Sequence, residues 1–209
     1  LRRDAEQRRG DVVVVTVNHR LNVFGYLHLE EAFGPDYAQS GVAGMLDLVL
    51  ALEWVRDNIA AFGGNPADVT IFGESGGGWK VSLLLAMPAA KGLFHKAIIQ
   101  SGPGLRGAEK AASSVTARAL LDRLGVRTPE DLAALPTEVI SRASVEIPGE
   151  AMLLYTPVVD GVAIPRDPFV PDAPAISAGV PVMIGTNKDE TTLFMLGDPK
   201  FGDYDEDTL

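Results

Sequence analysis

Ser75 is the side chain in this 209-residue sequence whose surroundings most clearly invite chemistry. It stands in Gly73-Glu74-Ser75-Gly76-Gly77, which fits the pattern G-x-S-x-G. A serine hydroxyl is a weak nucleophile until a base takes its proton. This pattern lifts the hydroxyl above a sheet edge on a sharp, strained strand-to-helix turn. A glycine is expected on each side, because a Cβ there would strike the neighbouring strand or helix. The backbone N–H of Gly76 then points where an oxyanion would form, at a helix start whose dipole favours negative charge. A glycine-rich turn with a solvated serine has the same residues, so the flanking elements must decide.

Those elements have the required order. Val69-Thr70-Ile71-Phe72 reads as a strand leading into the motif, and Trp79 to Ala86 as the helix after it, closed by Pro88. Val12-Val13-Val14-Val15-Thr16-Val17 is a continuous β-branched run, expected to be a strand buried on both faces of a parallel sheet. Ala97-Ile98-Ile99-Gln100 and Val182-Met183-Ile184-Gly185 read as two more strands. From Ser40 to Phe62 the period changes. Val42, Met45, Leu46, Val49, Leu52, Val55, Ile59 and Phe62 recur at three- and four-residue steps, one face of a long helix. Ser40 is the expected N-cap, and Gly63-Gly64-Asn65-Pro66 ends the helix. Residues 108–146 read as mainly helical and the Pro-rich stretch 148–181 as loop. Strands alternating with helices indicate an α/β domain with a mostly parallel sheet and helices on both faces.

Composition limits the partners. The 18 basic and 28 acidic side chains give 18 − 28 = −10 with neutral histidines, and no basic tract is present. That argues against nucleic acid and anionic membrane surfaces. No uninterrupted apolar run approaches the roughly 18 residues of a membrane-spanning helix, so no membrane span is expected. With no cysteine in the chain, disulfides, thiolate metal sites and a cysteine nucleophile are excluded, which fits a reducing, cytoplasmic compartment. No H-E-x-x-H, P-loop or EF-hand pattern occurs, so neither metal nor cofactor is expected. One rival motif exists. Gly102-Pro103-Gly104-Leu105-Arg106-Gly107 fits G-x-G-x-x-G, with Asp122 twenty residues after its first glycine. A dinucleotide-dependent oxidoreductase would need that acid at the end of a second strand, whereas Asp122 falls in a helical run. Pro103 also lacks the N–H that should face a pyrophosphate.

Four longer segments carry a resemblance. DVVVVTVNHRLNVFG (11–25), GVAGMLDLVLALEWVRDNIAAFGGNPADVTIFGESGGG (41–78), GLFHKAIIQSG (92–102) and GTNKDETTLF (185–194) resemble the type-B carboxylesterase family, in that family's order. The resemblance implies an α/β-hydrolase fold, a small-molecule ester substrate and hydrolysis through an acyl-enzyme. By the same resemblance the nucleophile falls on Ser75 and an oxyanion-hole donor on Gly76, where the family usually has Ala. The catalytic acid falls on Glu190, followed by Thr191 where the family usually has Gly; spacing alone leaves Asp189 as an alternative. Ser101 matches a serine that hydrogen-bonds the acid or its neighbours, although a plain strand-end turn explains it equally. The family's Asn-Tyr-Arg becomes Asn18-His19-Arg20. Residues 108–175 are expected to form a helical and loop insertion on the active-site side.

The remaining machinery is not in the sequence. In this fold the triad runs in the order serine, acid, histidine, yet His19, His28 and His95 all precede Glu190. None of the three is expected to be the base: His95 leads into a strand, His19 packs or hydrogen-bonds, and His28 lies in a surface loop. The family's His-Gly-Gly loop, source of two further oxyanion donors, has no counterpart upstream of Asp11. Residues 1–209 therefore read as the central part of a longer hydrolase, incomplete at both ends and inactive alone. A non-catalytic binding or adhesion module is the second reading from the resemblance, and such relatives usually lose the serine. Glu74 is expected to be a buried structural carboxylate paired with Arg20 or another base. Asp47, Trp54 and Asn58 are expected to pack the long helix. Phe24, Trp79 and Met152 are candidates for a substrate pocket or, more simply, for the core. Oligomeric state is not legible.

Overall fold

The computed structural model describes residues 10–149, 153–190 and 192–197. Met152 and Thr191 lie outside the described residues. In chain order the helices are α1 (Asn22–Tyr26), α2 (Glu30–Phe33), α3 (Ala43–Asn58), α4 (Gly76–Ala86), α5 (Lys110–Leu124), α6 (Pro129–Ala133), α7 (Thr137–Ser144) and α8 (Thr192–Met195). The strands are β1 (Thr70–Glu74), β2 (Lys96–Gln100) and β3 (Val182–Gly185), in one parallel sheet of order β1-β2-β3.

The register places Ile71 beside Ala97 and Phe72 beside Ile98, while Ala97 pairs with Val182 and Ile98 with Met183. Paired residues of a parallel sheet share a face, and neighbours in a strand alternate. Ala97 and Ile99 are buried on one face, where α4 packs on β1 and β2. Phe72 and Met183 stand exposed on the other. All three strands point their carboxyl ends the same way, so the turns after Glu74, Gln100 and Gly185 gather along one edge.

Helix α3 follows its expected face. Val42, Met45 and Val49 are buried in a core that also takes Leu83, Met87, Ile99, Leu120 and Ile164, and Val55 and Ile59 are buried farther along the same face. The stretch Pro35–Phe62 is long and apolar enough in composition to cross a membrane, contrary to the expectation from uninterrupted apolar runs. One third of its most apolar window is buried, and Leu50, Trp54 and Phe62 are exposed. Short 3₁₀ turns flank the helix at Ser40–Val42 and Ile59–Phe62, and Gly63 ends it at φ +82°. Ser40 is not the cap; its Oγ accepts the Leu29 N–H at 2.8 Å, tying the preceding loop down instead. Phe62, at the end of the periodic face, is exposed against Trp54, with ring centroids 5.7 Å apart. The exposed Trp54 and Asn58 thus do not pack the helix into the core; Asn58 Nδ2 instead donates to the Trp54 carbonyl.

Val12–Val17 does not form the expected buried strand. It has no regular secondary structure, and Val12 and Val17 are exposed. A β-branched run becomes a strand only where a neighbour completes its hydrogen bonds, and among the described residues none lies alongside. The region after β2 divides into α5, α6 and α7, and residues 153–181 are loop apart from one 3₁₀ turn and a parallel β-bridge between Val158 and Ala108.

Candidate active site

The turn after β1 has the strained geometry that raises a side chain above a sheet. Ser75 takes φ +54° and ψ −119°, which a residue with a Cβ adopts only when its surroundings impose it. Two hydrogen bonds do so. The Ser75 N–H donates to the Gln100 carbonyl at 2.8 Å, and the Ser75 carbonyl accepts the Trp79 N–H at 3.1 Å. The serine is exposed, and α4 begins at Gly76, leaving the first amides of that helix without intrahelical acceptors.

The steric role of the glycines differs from expectation. A Cβ on Gly73 would lie 2.3 Å from the Gly77 carbonyl carbon, so the first motif glycine is required. A Cβ on Gly77 would meet nothing within 4 Å, so the second is not. The more demanding position lies outside the motif: a Cβ on Gly102 would sit 2.0 Å from the Ser75 carbonyl oxygen. Composition could not reveal this, because Gly102 comes from the next strand's turn and meets Ser75 only through sheet register.

Glu190 reaches the same edge from β3. Its Oε1 accepts the Asn187 N–H at 2.5 Å, and Asn187 Nδ2 donates to Ser101 Oγ at 3.4 Å. The Ser101 hydroxyl, then the Asn187 backbone amide, hold the Glu190 carboxyl below the usual carboxylate range. Ser101 is itself at φ +53°, with its N–H donated to the Gly185 carbonyl at 2.8 Å. Ser75 and the Ser101–Gly102 turn thus stand on the ends of β1 and β2, and Glu190 in the turn that follows β3. Adjacent strands lie about 4.8 Å apart, which separates the β1 and β3 ends by about 10 Å. An imidazole bonded to a serine oxygen on one side and a carboxylate on the other needs roughly 7–8 Å between those oxygens.

The chain's own histidines are held elsewhere. His95 Nδ1 accepts the Val69 N–H at 3.1 Å, at the amino end of β1. The five residues of β1 separate it from Ser75 by roughly 17 Å. His19 Nδ1 lies 3.0 Å from the Arg20 carbonyl. His28 is not a surface residue: it is buried, its Nδ1 has no hydrogen-bond partner, and its Nε2 lies 3.7 Å from Glu30. Burial, and then the Lys110 charge, push its pKa down.

Several other expectations are corrected. Glu74 is exposed and does not pair with Arg20. Arg20 instead clamps Asp47, with Nη2 to Oδ1 at 2.6 Å and Nε to Oδ2 at 2.9 Å. Asp47 is therefore an anchor for the loop before α1 more than a helix-packing residue. A β-strand alternates its side chains, and Glu74 falls on the open face with Phe72. Phe24 is exposed and outside the core, while Trp79 is part-buried against it, with Nε1 donating to the Arg106 carbonyl at 3.0 Å. A cleft of about 540 Å³ is lined by His19, Arg20, Asp47, Leu50 and Trp54, among others, and contains neither Ser75 nor Glu190. The segment Gly102–Gly107 is no phosphate loop: Gly104 lies against the Trp79 ring, and Asp122 is inside α5, ion-paired with Arg127. Among the described residues no group of three or more metal-binding side chains assembles.

Comparison with known proteins adds the wider context. The family described as "Carboxylesterase family" matches residues 5–207. The chain is 41% identical over 201 residues to the para-nitrobenzyl esterase of Bacillus subtilis (strain 168), covering 91% of this chain and 40% of that protein. It is 33% identical over 213 residues to the phenmedipham hydrolase of Pseudarthrobacter oxydans, covering 99% and 41%. A solved structure of a Geobacillus stearothermophilus carboxylesterase, at 44% identity, matches with a TM-score of 0.86 over 98% of this chain and 43% of its own. The chain spans about two fifths of the length of these relatives.

Proposed function

The chain belongs to the carboxylesterase family and has its α/β-hydrolase fold, and from that premise we propose that Ser75 is the nucleophile of a carboxylic ester hydrolase. The observation that carries this is the Ser75 turn itself. An exposed serine is held at φ +54° on a strand end, with a helix starting at the next residue and an ionised glutamate two strands away. Strain of this kind costs about 1–3 kcal/mol and persists where the surroundings over-determine it.

In the proposed reaction the Ser75 oxygen attacks the ester carbonyl carbon as an imidazole takes its proton. Negative charge moves to the carbonyl oxygen, where the Gly76 N–H donates to it. Collapse breaks the bond to the alcohol, which leaves with the proton returned by the imidazolium. Water then releases the acid from the serine by the same steps. Glu190 stays ionised throughout, orienting the imidazole and stabilising its charged form. Its hydrogen bonds from Asn187 and Ser101 favour it over Asp189 for this role, and give Ser101 its part.

The imidazole is assigned to a histidine outside residues 1–209, since His19, His28 and His95 are each engaged or enclosed elsewhere. Residues 108–175 are assigned to the wall of the substrate site. In support, the loop leading into them folds over α4, where Gly104 meets Trp79 and the Leu105 carbonyl accepts the Phe169 N–H at 3.4 Å. The names of these relatives suggest para-nitrobenzyl esters and phenmedipham as first trials. The test is made on the polypeptide that includes the histidine. Ser75→Ala abolishes labelling by a fluorophosphonate and hydrolysis of short para-nitrophenyl esters; retained labelling moves the nucleophile elsewhere. A non-catalytic binding module would show neither activity in the parent protein.

A further inference from the structure

Lys80 is placed where electrostatics disfavours a cation. It lies one turn inside α4, near the positive end of that helix's dipole, and its side chain is half-buried. Among the described residues no carboxylate approaches its ammonium within 4 Å to compensate. Burial alone pushes its pKa below the ordinary lysine value. What the ammonium touches is the Gly76 carbonyl, to which Nζ donates at 3.1 Å.

That carbonyl belongs to an unusually loose piece of helix. Gly76, Gly77 and Gly78 are consecutive, and each glycine in a helix costs about 1 kcal/mol against alanine through backbone freedom. Only Gly78 is crowded, with a Cβ there 3.1 Å from the Gly102 carbonyl oxygen. A Cβ on Gly77 meets nothing, and one on Gly76 would lie 3.6 Å from Lys80 Nζ, an ordinary contact. The Gly77 backbone is packed against Gly73, but around Gly76 only Lys80 Nζ comes within 4 Å of an added Cβ, yet the Gly76 N–H must stay aimed.

We propose that Lys80 is a positioning residue that clamps the Gly76–Gly77 turn from the side that lacks a Cβ, keeping the Gly76 amide in register beside Ser75. Its relevance to catalysis rests on the ester-hydrolase reading; the clamp itself does not. The uncompensated charge serves the same end, because an anion forming at the Gly76 N–H offsets it only in the transition state.

The test combines Lys80→Met, Lys80→Arg, Gly76→Ala and the Gly76→Ala/Lys80→Met pair. Amide hydrogen exchange is read at Trp79, whose N–H is bound to the Ser75 carbonyl, alongside the rate of fluorophosphonate labelling. Lys80→Met is expected to speed exchange at Trp79 and to slow labelling about tenfold, with thermal unfolding little changed, and Lys80→Arg to restore both. In the Gly76→Ala background, where a Cβ stiffens the turn, the exchange effect of Lys80→Met shrinks. Loss of charge also removes any alkaline limb that Lys80 deprotonation gives the labelling rate. Exchange at Trp79 unchanged in Lys80→Met overturns the proposal, as does an equal effect in both backgrounds. If exchange shifts as expected while Ser75 is never labelled, the clamp stands and the hydrolase reading fails.

Discussion

Replacing Gly102 by alanine probes the site through a residue that performs no chemistry. The added Cβ would fall 2.0 Å from the Ser75 carbonyl oxygen, 2.6 Å from its carbonyl carbon and 2.8 Å from its Cα. Real Cβ atoms essentially never approach within 3.0 Å, so at least 3.0 − 2.0 = 1.0 Å of movement is required. All three atoms are backbone, and Ser75 is bonded to the Gln100 carbonyl, so no flexible side chain can absorb the displacement. Overpacking of this kind costs about 1–3 kcal/mol. At about 2–4 °C per kcal/mol for a chain this size, Tm falls by roughly 2–12 °C. A shift of about 1 Å in the nucleophile costs on the order of 100-fold in rate. The assay pairs thermal unfolding with fluorophosphonate labelling of Ser75. Gly77→Ala is the control, since its Cβ meets open space; it should hold or raise Tm, gaining up to about 1 kcal/mol of helix propensity. Gly102→Ala that labels within threefold of the parent with an unchanged Tm would falsify the packing argument. So would equal losses in both variants.

Two further outcomes follow from the carboxylate and the buried histidine. Ser101→Ala removes the largest influence holding the Glu190 pKa down, so the Glu190 carboxyl itself titrates at higher pH; an NMR titration of that side-chain carboxyl with an unmoved midpoint removes Ser101 from that role. His28 has a lower pKa folded than unfolded, so the unfolded chain binds more protons below about 6.5. Its contribution to stability is present above that pH and is lost as pH falls toward the folded pKa. Urea midpoints should therefore decline on acidification from pH 7 toward 5.5, and His28→Asn should flatten that slope.

Much of this arrangement was legible in the residues because it is local. The G-x-S-x-G turn, the strands at Ala97 and Val182 and the apolar face of α3 follow from period and from glycine placement, which operate over a few residues. Val12–Val17 was not legible as it stands, since strand formation depends on a partner at distance. His28 appeared to be a loop residue because its burial comes from packing between segments far apart in sequence. Glu74 and Asp47 exchanged roles for a similar reason: which carboxylate meets Arg20 depends on the face each presents, and alternation in β1 turns Glu74 away.

The sequence by itself determined the chemistry available: a serine on a strand-to-helix turn, no thiol, and three histidines ahead of the candidate acid. Only the tertiary structure decided which groups share an edge. Register set Gly102 against the Ser75 backbone and Ser101 beside Glu190, and helix geometry curled Lys80 onto Gly76. Residue types limit what a group can do, while its neighbours depend on hydrogen-bond register and burial that no short stretch of sequence encodes.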